Sequence, residues 1–269
     1  MKDKQNKAII VIPAYKSNIS EIESVSLRRC LLVLKNYDIC FVSPYGLNMD
    51  VYRSILSDYQ ICFNVMSFPS HFFDSVKSYN KLMLTHDFYL RFCEYEYMLI
   101  YQLDAYVFDD QLAYWCNKGY DYIGAPWFQS NGKLCSICGN GGFSLRKIES
   151  FLSIPLDNRL YTIRGLICLY WNKKPVDRII SSLKGFSKKY NSFDLFVQDN
   201  ELAEDWLYAV MKYRIKDPFI IPSPREAMRF AFEVNPDQLF EMNNGLLPFG
   251  CHAFMKYNYN NFWKRFIHI

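Results

Sequence analysis

The first legible pattern in the chain is Ala8-Ile9-Ile10-Val11-Ile12-Pro13, an unbroken apolar and largely β-branched run. A strand with one wet face alternates; an unbroken run marks a strand covered on both faces, as in a sheet sandwiched by helices. A helical period follows. Ser20 and Glu23 have capping-box spacing, and Ile22, Val25, Leu27, Leu31 and Leu34 form one stripe, which predicts a helix over Ser20–Leu34. Apolar runs at Asp38–Pro44 and Phe63–Phe68 predict two more strands, Ser78–Cys93 predicts a second helix, and Tyr97–Leu103 a fourth strand. Strands and helices alternating at this spacing predict an α/β fold with a mostly parallel sheet and crossover helices.

Beyond Asp104 the order changes. Leu112–Cys116 reads as a short helix and Tyr120–Trp127 as a strand ending in a turn. Gly139-Asn140-Gly141-Gly142 precedes another apolar segment, Phe143–Leu145. Asp157–Asp194 shows no clean period and reads as an insertion facing a substrate. Asp199–Tyr213 is expected as a helix with Leu202, Trp206, Val210 and Tyr213 on one stripe, and Pro218–Ile221 as a short strand. No linker, repeat or low-complexity tract divides the chain. The expected organisation is one domain over residues 1–254 with an aromatic and basic tail over 255–269.

Composition narrows the function classes. Hydrophobic residues at 51% and charged residues at 22% of 269 positions are ordinary for a soluble globular protein with a sizeable core. Aromatic residues reach 18%, with 21 Tyr and 22 Phe. Such a surplus serves ring-stacking ligands such as sugars and nucleotides, or follows from an AT-rich genome; composition alone leaves both open. The net charge of +4 comes with no Lys/Arg run and no basic aromatic platform, which argues against nucleic acid. The nine cysteines are scattered and odd in number, no signal peptide is read at the start, and no run of ~18 apolar residues exists. Free thiols in the cytoplasm are therefore expected. Cys135-Ser136-Ile137-Cys138 is a lone CxxC without a second pair at zinc-site spacing.

The chemistry-bearing candidate is Asp104, where the Tyr97–Leu103 strand runs into a carboxylate. A charge ending a buried strand is costly unless paired, hydrogen-bonded or metal-bound, and open α/β sheets bind ligands beyond the carboxyl ends of their strands. An Asp that merely caps the next turn is the plainer reading.

Several segments together resemble the GT-A glycosyltransferase core. Val11-Ile12-Pro13-Ala14-Tyr15 is similar to its first strand and nucleotide-facing turn, Asp104-Ala105-Tyr106 to its Asp-x-Asp motif, and Gly139-Asn140-Gly141-Gly142 to its glycine loop. Glu204-Asp205 resembles its acidic helix motif and Gly250-Cys251-His252 its C-terminal histidine. The phrasing of Tyr-Gln-Leu-Asp-Ala-Tyr-Val-Phe, Tyr-Asp-Tyr-Ile-Gly-Ala-Pro-Trp and Gly-Asn-Gly-Gly-Phe-Ser-Leu-Arg is also similar to an uncharacterised bacterial family from surface-glycan gene clusters. The resemblance implies a single GT-A-like, Rossmann-like domain with a mixed central sheet. It implies a hexosyltransferase that moves a sugar from a UDP-linked donor to a hydroxyl of a lipopolysaccharide, capsule or lipid-linked glycan, with inversion. Pro13, Ala14, Tyr15, Asn80, Asp104, Ala105, Tyr106, Asn140, Gly141 and Gly142 would meet the donor, and Asp104 with His252 would hold Mn²⁺ or Mg²⁺. Asp205 would be the general base, with Glu204 beside it.

The chain departs from the pattern at Tyr106, which replaces the second Asp; a phenol cannot stand in for a carboxylate on a hard cation. That departure keeps a second reading open, a catalytically silent sugar- or nucleotide-binding subunit of a glycan-assembly complex. The aromatic and basic tail suits either a helix docked on the core or peripheral contact with the inner face of a membrane.

Overall fold

The computed structural model describes residues 7–154, 161–171, 173–186, 203–214 and 216–269. The first stretch runs β1 (Ala8–Pro13), α1 (Glu21–Val33), β2 (Asp38–Pro44), α2 (Asp50–Asp58), β3 (Phe63–Phe68), α3 (Val76–Met83), α4 (His86–Leu90) and β4 (Tyr97–Tyr101). Next come β5 (Tyr106–Val107), α5 (Leu112–Asn117), β6 (Tyr122–Ile123), β7 (Pro126–Phe128), β8 (Leu134–Cys138), β9 (Phe143–Lys147) and α6 (Ile148–Leu152). The described remainder holds α7 (Ile163–Leu169), α8 (Pro175–Phe186), α9 (Glu204–Ala209), α10 (Pro224–Phe230), β10 (Ala231–Phe232), α11 (Pro236–Met242) and β11 (Gly250–Cys251).

The main sheet has the order β3-β2-β1-β4-β9-β6. Neighbours among β3, β2, β1 and β4 are parallel, and β9 runs antiparallel to both β4 and β6. This is the mixed, mostly parallel α/β architecture that the sequence predicts. Every residue of β1 is buried, as its unbroken apolar run requires. Ile10 and Ile12 face one layer, with Leu27 and Leu31 of α1 and Trp115 of α5. Ile9 and Val11 face the other, with Phe88 of α4, Phe151 of α6 and Leu207 of α9. Two smaller sheets, β10-β11-β5 and β7-β8, flank the far end.

Local chemistry sets the boundaries. Glu23 N–H donates to Ser20 Oγ at 3.2 Å while Ser20 N–H donates to the Glu23 carboxylate at 2.7 Å, completing the predicted capping box of α1. The helix expected over Ser78–Cys93 is instead two, because the Thr85 hydroxyl accepts from Phe88 N–H and starts α4 afresh. The strand expected over Tyr120–Trp127 breaks at Gly124: a Cβ there would stand 2.2 Å from the Asn140 backbone nitrogen, so the chain leaves the main sheet before β7. Pro218–Ile221 is not a strand. Ile220 is instead held by Asp121, its N–H on the carboxylate at 2.6 Å and its carbonyl on Asp121 N–H at 2.8 Å. Of the helix expected over Asp199–Tyr213, residues 204–209 are α-helical and 210–213 tighten into a 3-10 turn; 199–202 lie outside the described residues. So do 157–160, 172 and 187–194 of the predicted insertion, whose described part folds as α7 and α8.

The C-terminal tail does not form an α-helix. It winds through turns to a short 3-10 segment, Trp263–Arg265, and buries Phe262, Trp263 and Ile267 against Met228, Phe232, Leu239 and Cys251.

Candidate functional site

The carboxyl ends of β1 and β4 lie side by side, and the sheet order reverses direction between them, since β2 and β3 follow on one side only. A crevice opens at such a switch point. Here it is a cleft of about 400 Å³, lined by Pro13, Tyr15, Lys16, Tyr52, Phe73, Val76, Tyr79, Asn80, Gln102 and Asp104 among others. Of the predicted donor residues, Pro13, Tyr15, Asn80 and Asp104 line it. Ala14 and Ala105 are buried in the core, the Ala14 N–H on Val42 O at 2.8 Å and the Ala105 carbonyl on Ser26 Oγ at 2.6 Å. Tyr106 turns away from the cleft to pack against Phe108 and beneath the Arg29 guanidinium, 5.4 Å from its ring centre.

Asp104 stands 49% exposed at the edge of the cleft and meets His252, Oδ1 to Nε2 at 3.2 Å. Three short pairings bring these distant residues together: β5 pairs antiparallel with β11, β11 pairs parallel with β10, and His252 N–H donates to Phe232 O at 3.0 Å. The turn after β10 carries Glu233, whose carboxylate takes the other ring nitrogen, Nδ1, at 3.0 Å. Gln102 Oε1 lies 3.2 Å from Nε2 as well. Burial alone would lower the imidazole pKa, but hydrogen bonds to Asp104 and Glu233 outweigh it and raise it to about 10. The ring is therefore a cation held by two carboxylates. Burial pushes the Asp104 carboxyl up, and the bond to His252 more than reverses it, leaving it below the ordinary range. Glu233 carries no motif in the sequence, and Gln102 lies within the Tyr-Gln-Leu-Asp-Ala-Tyr-Val-Phe phrase without being singled out there. A further signal for Gln102 is its position two residues before Asp104 at the end of a buried strand.

The glycine loop adjoins this group, with Gln102 N–H donating to Gly142 O at 2.8 Å. Its glycines are required by the protein's own side chains. A Cβ on Gly142 would come 2.0 Å from His252 Nε2, and one on Gly141 would come 2.9 Å from Glu204 Oε1. The Gly142 N–H donates to the side chain of buried Asn140 at 3.0 Å, and the Gly141 N–H to Asp205. These two donors thus turn inward, and the missing Cβ atoms leave room for His252 and Glu204.

Glu204 and Asp205 begin α9 on the other side of the loop. Glu204 is buried and its Oε1 accepts from Arg146 Nη2 at 2.7 Å; Arg146, wholly buried on β9, also donates to Tyr89 Oη at 2.9 Å and Ser144 Oγ at 3.1 Å. Asp205 Oδ1 accepts from Trp206 N–H at 2.7 Å. Burial first, then the charge of Glu204, pushes its carboxyl up to about 7, with Glu233 adding to the rise and the two backbone N–H donors holding it back. A carboxyl at that value exchanges protons near neutral pH, which suits a general base.

Residues 62–252 match the model of a family described as "Protein of unknown function (DUF5672)". The chain belongs to this family. The matched span of DUF5672 contains every residue just placed around His252, from Gln102 to His252 itself, and leaves the β1 turn outside. No curated protein matches the chain. Among solved structures it is similar to mouse xyloside xylosyltransferase 1, at 9% identity over 91% of this chain and 97% of that one, with TM-score 0.48. An active-site mutant of LgtC is similar at 13% identity over 91% and 86%, with TM-score 0.49. The Mn/GDP form of core-mannan synthase A from Aspergillus fumigatus is similar at 9% identity over 81% and 72%, with TM-score 0.43. At TM-scores below 0.5 these likenesses decide nothing about the chemistry of this chain, which rests on its own residues.

Proposed function

We propose that this DUF5672 protein is a nucleotide-sugar-dependent glycosyltransferase that moves a hexose from a UDP-linked donor to a hydroxyl of a surface or lipid-linked glycan, with inversion. One observation supports the reading above others. A ligand cleft at the switch point ends on Asp104, and the Asp104–His252–Glu233 group leads through the glycine loop to a carboxyl titrating near 7. Nucleotide and sugar would lie in the cleft between Tyr15 and Asn80, with the diphosphate toward Asp104 and His252. When the acceptor oxygen attacks the anomeric carbon, its proton passes to the Asp205 carboxylate, and the bond to the diphosphate breaks with its electron pair on the departing oxygen. A positioned base of this kind contributes roughly 10²- to 10⁴-fold.

Asp104 Oδ1, Gln102 Oε1 and, once it yields its proton, His252 Nε2 are the residues that would hold a divalent cation. A carboxylate, an amide carbonyl and an imidazole suit Mn²⁺ or Mg²⁺, and such a cation would neutralise charge on the diphosphate. Among the described residues no group of three or more His, Cys, Asp or Glu side chains is arranged for a metal, so phosphate oxygens would have to complete the set.

The direct test is purified protein against a nucleotide panel with and without Mn²⁺. UDP at about 100 times its dissociation constant should stabilise the fold by about 2.7 kcal/mol, and UDP-hexose should be slowly hydrolysed. Asp104→Ala should abolish both effects. If no nucleotide raises the melting temperature, or the variant turns over normally, the donor site is wrong. Because Tyr106 faces away from the cleft, only one acid of the motif is in place. Nucleotide binding without any hydrolysis would favour the silent binding subunit.

A further inference from the structure

Helix α8 is built inside out. Its buried positions are small, Ser182 and Gly185, and a Cβ on Gly185 would lie 3.3 Å from Leu166 of α7. Phe186 at its end packs on the core, but its other large apolar side chains point to solvent: Val176 is 67% exposed, Ile179 58%, Ile180 45% and Leu183 60%. These sit at i, i+3, i+4 and i+7, one continuous stripe along the helix. The neighbouring helix adds to it, since Ile163, Ile167 and Trp171 are also exposed at four-residue spacing. Trp171 abuts α8 directly, beneath the Arg178 guanidinium at 4.2 Å. A soluble protein gains nothing from such a stripe unless something covers it.

Charge points to the cover. Residues 161–186 contain Arg164, Lys173, Lys174, Arg178 and Lys184 against the single acid Asp177. That surplus of four equals the net charge of the whole chain, so the remainder is balanced. The exposed apolar side chains and the net positive charge therefore coincide on one element pair. A second copy would bring two like-charged faces together. A face that exposes an apolar stripe and carries a net positive charge is complementary to an anionic bilayer. There Ile, Leu and Trp would enter the acyl boundary while Lys and Arg would meet the headgroups. No described helix is long and apolar enough to cross a membrane, so contact would be with the surface.

We infer that α7 and α8 are a docking face for an anionic lipid bilayer. The C-terminal tail, whose composition suits the same role, spends its large apolar side chains on the core instead.

Co-sedimentation with vesicles tests this apart from any transferase activity. The full chain should pellet with phosphatidylcholine vesicles containing 30% phosphatidylglycerol, and at least tenfold less with pure phosphatidylcholine. Raising the salt to 0.5 M should release it, because the attraction is screened. Ile179→Asp with Leu183→Asp, and separately Lys173→Glu with Lys174→Glu, should each reduce partitioning at least tenfold. All four positions are exposed, and an unchanged melting temperature confirms the fold. Absence of binding to anionic vesicles, or binding that neither pair of substitutions reduces, overturns the inference. So does a concentration-dependent dimer that the Ile179/Leu183 pair abolishes while vesicle binding is absent.

Discussion

Asp205 shows how an environment retunes an ordinary acid. Its carboxyl is raised from the usual value near 4 to about 7, first by burial and then by Glu204. This shift sets the sign of a stability effect. Between about pH 4 and 7 the folded chain holds a proton at this position that the unfolded chain has released, so stability falls as pH rises through that window and levels off above it. Catalysis by the ionised form runs the opposite way and should rise with pH through about 7. Asp205→Asn should lower turnover by roughly 10² or more with donor affinity intact, and should flatten the fall in melting temperature between pH 4 and 7. Melting curves at several pH values check the second effect without substrate. A slope equal to the parent's would mean that Asp205 is ionised throughout. The resemblance names Asp205 over Glu204, but the residues of the pair alone give no physical reason for the choice. Glu204 is committed to Arg146, and only packing tells which of two adjacent carboxylates is so committed.

At the scale of elements, Arg146 is the joint between β9, the glycine loop and α9. Its guanidinium sits wholly buried among Tyr122, Phe151 and Tyr208 rings, at 5.6 to 5.8 Å from their centres, and reaches Glu204 at 2.7 Å. Removing one partner of a buried pair leaves an uncompensated charge, at a cost of about 3–5 kcal/mol, whereas removing both costs less. Arg146→Met should therefore destabilise by that amount in urea unfolding, and Arg146→Met with Glu204→Gln should recover part of it. Full additivity of the two substitutions would show that the pair is not coupled. β1 and β2 are legible to the residue because each centres on an unbroken apolar run, and β3 because its Phe, Val and Met residues recur across a short segment. β10 and β11 are not, since two residues have no period. α8 lies in a stretch that reads without a clean period, because a helix that faces its apolar side outward gives no clue to which side is buried.

For the whole molecule, the sequence conveys the sheet and the order of the motifs but not how they meet. Glu233 and Gln102 escape notice there because their importance arises only when β5, β10 and β11 come together. The glycine loop's sequence reads as open to a ligand, whereas its space is taken by His252 and Glu204. Glycines alone cannot say which neighbour will fill the missing Cβ. The pairing of His252 with Gln102 spans 150 positions. By contrast, Ile9 pairs with Asp38 and Ile39 with Phe63, closures of only a few tens of residues. Closing short loops comes first, and contacts distant along the chain wait for the entropy of the intervening segment to be overcome. The two halves of the proposed donor site therefore meet late in folding. On dilution from denaturant, far-ultraviolet circular dichroism should return before the ability to bind nucleotide, and simultaneous recovery would contradict this order. A chain with its sheet formed and its histidine still unplaced would be compact yet inert, and binding competence would be the last property it acquires.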